Sequence, residues 1–156
     1  MKWVTREHVH VDRVACPWLI RRFVDHDAEF LFVEPQEVMR AAKREGATPF
    51  DAKGQAELDH RDGKCTFEVI LGQHALGDPA LHRMARIVHA ADIASDRGTD
   101  PIAPGLEAIA VGFGALFPDD HENLRRQSTV YDALYEWCRK HATGAAGAAG
   151  PAPPRR

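Results

Sequence analysis

Two stretches of the chain hold residues that could bind and activate a metal ion. In DPALHRMARIVHAADIASD, helical spacing places His89, Asp92 and Asp96 at i, i+3 and i+7. An imidazole and two carboxylates then share one face, while Leu81, Met84, Ala85 and Val88 supply the apolar one. In ELDHRDGKCTFE, the residues Glu57, Asp59, His60, Cys65 and Glu68 bring the common metal-ligand types into one short segment, in no standard zinc spacing. His60, His89 and Asp92, with Glu68 as ligand or general base, would form a two-histidine, one-carboxylate set that leaves positions open on iron, manganese or zinc. That requires the loop and the helix to meet. The plainer reading is a polar loop, a capped helix and an exposed histidine paired with an acid.

RVACPWLIRRF raises a different chemistry. If Pro17 opens a helix running over about residues 17–25, Cys16 occupies the cap, against free N–H groups and the positive end of the dipole. Arg13, Arg21 and Arg22 would add positive charge, an environment for a thiolate or for a bound anion. The alternative is a small buried residue beside Trp18. In PDDHENL, most of the acidity reads as a helix start, with Asp120 kept as an additional ligand candidate beside Asp96 and Cys65.

These residues need elements to position them. KWVTR and EFLFVE read as strands separated by the first helix, a βαβ-like opening. QEVMRAAKREG is a helix closed by Gly46, and ATPFD is a loop or a short strand. Helices then follow from Thr66, from Asp78-Pro79 through Asp96, from Asp100-Pro101, and from Asp119 with Glu122 as a capping box. Leu124, Tyr131, Leu134, Tyr135 and Cys138 share one stripe of the last helix and read as core. The expected fold class is α+β and mostly helical, a small N-terminal β element packed with a bundle of four to six helices. Residues 1–142 form one domain, and 143–156, rich in Ala, Gly and Pro, form a disordered tail.

Composition narrows the function. A net charge of −3 in 156 residues removes the electrostatic motive for direct DNA or membrane binding. Apolar runs fall short of a membrane span, and the first residues resemble no leader, so a cytoplasmic location is expected. The three cysteines have no paired spacing and read as free thiols. Glycine-rich nucleotide loops and a serine elbow are absent, so no nucleotide cofactor is expected.

VDRVACPWLIRRFVD, GATPFD, HRDGKCTFE, DPALHRMARIVHAAD, PDDHENL and YDALYEWC together resemble the ChrB-type chromate resistance domain, from about Lys2 to Arg139. That domain forms the C-terminal part of chromate-responsive regulators and also occurs alone or fused to a rhodanese-like domain. The resemblance implies a role in chromate resistance or its control, and it assigns no catalytic residues. Those regulators carry a further N-terminal region, so DNA contact is not expected of this domain. Three functions follow as expectations: binding of a metal ion, a small oxyanion such as chromate, or both, as a sensor or detoxification component; a metal-dependent redox or hydrolytic enzyme; or an interaction module that pairs with a regulator or a second copy.

Overall fold

The computed structural model describes residues 1–144, so the expected tail lies outside the described residues except for Thr143 and Gly144, which end the last helix. Strand β1 (Lys2–Arg6) leads into helix α1 (Val11–Leu19), which continues as one π-helical turn over Ile20–Val24 before strand β2 (Glu29–Val33). A 3-10 turn at Pro35–Glu37 precedes α2 (Val38–Glu45), and Gly46 ends it in the left-handed region at φ 62°. Strand β3 (Thr48–Pro49) completes a parallel sheet of order β2-β1-β3. In register, Trp3 faces Phe30 and Thr48 across the two ladders.

The chain then forms α3 (Thr66–Gln73), α4 (Pro79–Asp92), a 3-10 segment over Ala94–Thr99, α5 (Ala103–Leu116) and α6 (Asp120–Gly144). The α+β, mostly helical expectation holds. Successive strand residues point to opposite faces, so β1 divides the interior. Trp3 joins Phe30, Phe50 and the buried faces of α1, α3, α4 and α6, whereas Val4 packs with Val38, Ala41 and Ala42 of α2. Each large apolar side chain buried this way contributes about 2 kcal/mol. Polar clamps fix α6 across α1: Tyr131 donates to the Val11 carbonyl at 3.0 Å and Trp18 to Asp132 at 2.8 Å.

Two sequence expectations are corrected. The first helix begins at Val11 rather than near Pro17, leaving Pro17 inside it. Proline removes one helical donor, and the ladder loosens downstream into the π turn, where the Ile20 N–H meets the carbonyls of both Cys16 and Pro17. Helix α4 stops at Asp92, so Asp96 reaches the site from a 3-10 turn instead of from the same helix. No described helix is long and apolar enough to cross a membrane.

Candidate metal centre

The site forms where the start of α3 meets the end of α4 and the start of α1. Cys65 caps α3, and Glu68 reaches back to the Cys65 N–H at 2.9 Å. The next two N–H groups, of Thr66 and Phe67, donate to Asp12 of α1 at 2.8 and 3.3 Å. Asp12 is 1% exposed, so a carboxylate from a distant segment completes the cap of a buried helix end. The loop before α3 is organised by Asp59, whose carboxylate accepts from the N–H groups of Ala52, Gly54, Ala56 and His60. That loop delivers His60 to Asp12 and Asp92.

His60 Nε2 lies 3.4 Å from Asp12, 3.2 Å from Asp92 and 3.8 Å from Asp51. Asp51, at φ 45° and buried, is in turn held by Arg6 at 3.0 Å and Arg13 at 3.2 Å. Three carboxylates thus face three cations when His60 carries its second proton. Hydrogen bonds to Asp12 and then Asp92 lift the imidazole to about 10, against the opposing effect of burial. Burial raises the Asp12 carboxyl well above the ordinary carboxylate range. It also pushes Asp92 upward, but the His60 hydrogen bond and charge outweigh it and leave Asp92 lowered.

His89 belongs to a neighbouring group. Its Nδ1 lies 2.6 Å from Glu68 and its Nε2 2.8 Å from Asp96. Burial works against protonation there, but the hydrogen bonds to Asp96 and Glu68 prevail and the imidazole is raised. The ligand atoms of Cys65, Glu68 and His89 lie within 4.8 Å of one another, as do those of Asp12, His60 and Asp92. The expected single set of His60, His89, Asp92 and Glu68 is therefore divided: His60 meets Asp92, and His89 meets Glu68.

The cysteine and arginine set does not converge. Cys16 sits in the sixth position of α1 rather than at its cap and is fully buried. Its thiol donates to Asp12 at 3.4 Å, and burial, then the Asp12 charge, pushes it well above its ordinary value, the reverse of the expected thiolate. Arg13 is committed to Asp51 and the His8 carbonyl, Arg22 to Asp132, and Arg21 stacks over Phe30. Asp120 accepts from the N–H groups of His8 and Val9, both at 2.8 Å, an anchor for the β1–α1 turn rather than a ligand.

Asp12 and Asp51 were missed in the sequence. With the first helix expected from about Pro17, Asp12 lay ahead of it and drew no notice; once α1 starts at Val11, Asp12 falls with Ala15, Cys16 and Leu19 on the buried stripe at i, i+3, i+4 and i+7. Asp51 carries no such mark.

Comparison with known proteins matches the sequence of this chain to a family. The ChrB C-terminal domain profile matches residues 3–138. The Protein ChrB of Cupriavidus metallidurans is 38% identical over 137 residues, covering 86% of this chain and 40% of that protein, so the chain spans less than half of the relative's length. No solved structure matches. With the profile covering nearly all of the described residues, the chain belongs to the ChrB C-terminal domain family.

Proposed function

We propose that this domain serves chromate resistance by binding a divalent metal ion between Asp12, His60 and Asp92. Membership of the family supports the association with chromate resistance. The observation that carries the metal is a spacing: His60 Nε2 stands 3.2 and 3.4 Å from the two carboxylates. Ligand atoms about 2.1 Å from a shared ion, at angles of about 100–110°, stand about 3.2–3.4 Å apart. One nitrogen and two oxygens suit manganese, iron or zinc. The bound ion would give an oxyanion a cation to meet, in place of the dispersed arginines, and would act as a Lewis acid or a redox centre.

The test uses untagged protein stripped of metal, equilibrated with Mn(II) and dialysed. About one equivalent is expected, lost in His60→Ala and in Asp92→Asn while circular dichroism confirms both variants fold. A wild-type protein that retains no Mn(II), Fe(II) or Zn(II) refutes the proposal. Calorimetry with chromate should then show binding to the loaded protein and none to the stripped one. Equal responses would separate chromate from the metal.

A second reading, an interaction module, is supported by α5. Ile109 and Leu116, on one face, are exposed there to 43% and 72%. A two-fold axis through Gly112 would set Ile109 against Ala115 and Leu116 against Ala108, large against small, a pairing that supports a second copy as the partner. Sedimentation should show a dimer lost in Leu116→Glu; a monomer at high concentration rejects it.

A further inference from the structure

Beside the His60 site, and independent of it, we propose that Cys65, Glu68 and His89 form a second metal site, one that carries a thiolate and takes zinc or cobalt. Three observations converge on it. Sulfur, nitrogen and oxygen donors lie within 4.8 Å of one another, with Cys65 buried and the other two partly so. Sulfur at this point selects a softer ion than the Asp12 and Asp92 carboxylates do.

Each donor is also held in place by a further contact. Asp96 receives the Nε2–H of His89 at 2.8 Å, the outer carboxylate that orients a ligating histidine and leaves Nδ1 toward the donors. Glu68 is drawn to the Cys65 N–H, and the Cys65 sulfur receives the Glu68 N–H, so the helix cap that shapes the start of α3 also sets two of the donors. A purely structural cap does not need sulfur, since serine or aspartate caps better.

The set also opens on one side. Glu68 and His89 line a cavity of about 340 Å³ with Arg83, Arg86, Thr99 and Asp100. Arg83 is neutralised by Asp100, whereas Arg86 has no ion-pair partner among the described residues. Three protein donors and an open side facing a free guanidinium suit a four-coordinate ion whose fourth ligand is water or a small anion.

Binding is a proton exchange. Each His89 nitrogen stands at hydrogen-bond distance from a carboxylate, Nδ1 from Glu68 and Nε2 from Asp96, so a proton on Nδ1 occupies the position the ion would take. The ion takes the place of the Nδ1 proton shared with Glu68 and of the Cys65 S–H proton, and two protons leave to solvent. The 2.6 Å contact between His89 and Glu68 then opens to about 3.2 Å as both atoms turn to the ion.

Co(II) titration of the stripped protein tests this, because a sulfur-to-cobalt charge-transfer band reports the thiolate directly. The band should appear in wild type and persist in His60→Ala, which removes only the first site. It should vanish in Cys65→Ala, whose Mn(II) content at the first site stays unchanged, and Asp96→Asn should weaken cobalt binding roughly 10- to 100-fold. Glu68→Gln, as a second variant, keeps the fold while weakening the band. The proposal is overturned by a wild-type protein that shows no band at saturating Co(II), by a band that survives in Cys65→Ala, or by one that disappears in His60→Ala.

Discussion

Replacing Asp12 by alanine separates its two roles, as the cap of a helix and as a ligand. In the metal-free protein the carboxylate accepts from Thr66 N–H at 2.8 Å and Phe67 N–H at 3.3 Å, both buried. Leaving a buried donor unsatisfied costs about 1–3 kcal/mol, so two cost about 4 kcal/mol at the middle of that range. Removing the carboxylate also relieves its own burial, the effect that raises its pKa, and this offsets about 1 kcal/mol. The net loss expected is about 3 kcal/mol. With a urea slope of about 2 kcal/mol/M for a domain of this size, the unfolding midpoint drops by about 1.5 M. Asp12→Asn keeps one acceptor oxygen and should lose about half as much. Asp92→Ala is the control: like Asp12→Ala it gives up a contact to His60, here at 3.2 Å, but its backbone contact is a single 3.4 Å approach from Asp12 N, so without the cap to lose it should be clearly the less destabilised of the two. Hydrogen exchange adds the location, since the Thr66 and Phe67 amides should be the ones that lose protection. Equal drops for Asp12→Ala and Asp92→Ala, with those amides still protected, would refute the capping argument.

Three further outcomes follow. His60 in the folded protein is lifted to about 10, above its unfolded value of about 6.5, so its stabilisation is complete below about pH 6.5 and is lost as pH rises through about 10. The urea midpoint of metal-free protein should fall across that window and flatten in His60→Gln; a flat wild-type profile contradicts the ion group. Cys16, buried and pushed up by burial and by Asp12, should resist alkylation in native protein at neutral pH, and rapid labelling there would show an exposed thiolate instead. Asp120→Ala removes two 2.8 Å bonds to backbone N–H groups and should lower stability by about 1–2 kcal/mol with Mn(II) content unchanged. A loss of Mn(II) in that variant would make Asp120 a ligand.

The elements that declare themselves by local chemistry were legible. Asp78 accepts from Ala80 N–H and Pro79 opens α4, Asp119 accepts from Glu122 N–H at the start of α6, and Gly46 ends α2, all as capping rules require. The start of α1 was misread because proline usually marks a first turn, whereas Pro17 here sits within the helix and the π turn beyond it absorbs the strain. That single shift carried Cys16 from a cap into the core. The ligand residues His60, Asp92, His89 and Glu68 could be named from type and spacing, but their partition into two sets could not. It depends on Asp12 reaching α3 from 54 residues away and on Asp59 folding the loop around its own carboxylate, contacts between distant segments that no local pattern encodes.

The most direct test of the central claim is an anomalous difference map from crystals of the untagged protein soaked in Mn(II). The account predicts a peak about 2.2 Å from His60 Nε2 and from one carboxylate oxygen each of Asp12 and Asp92, absent in His60→Ala crystals. Crystals in which manganese binds elsewhere, with His60 still resting directly between the two carboxylates, would contradict it and leave the cluster as an ion pair that supports α3.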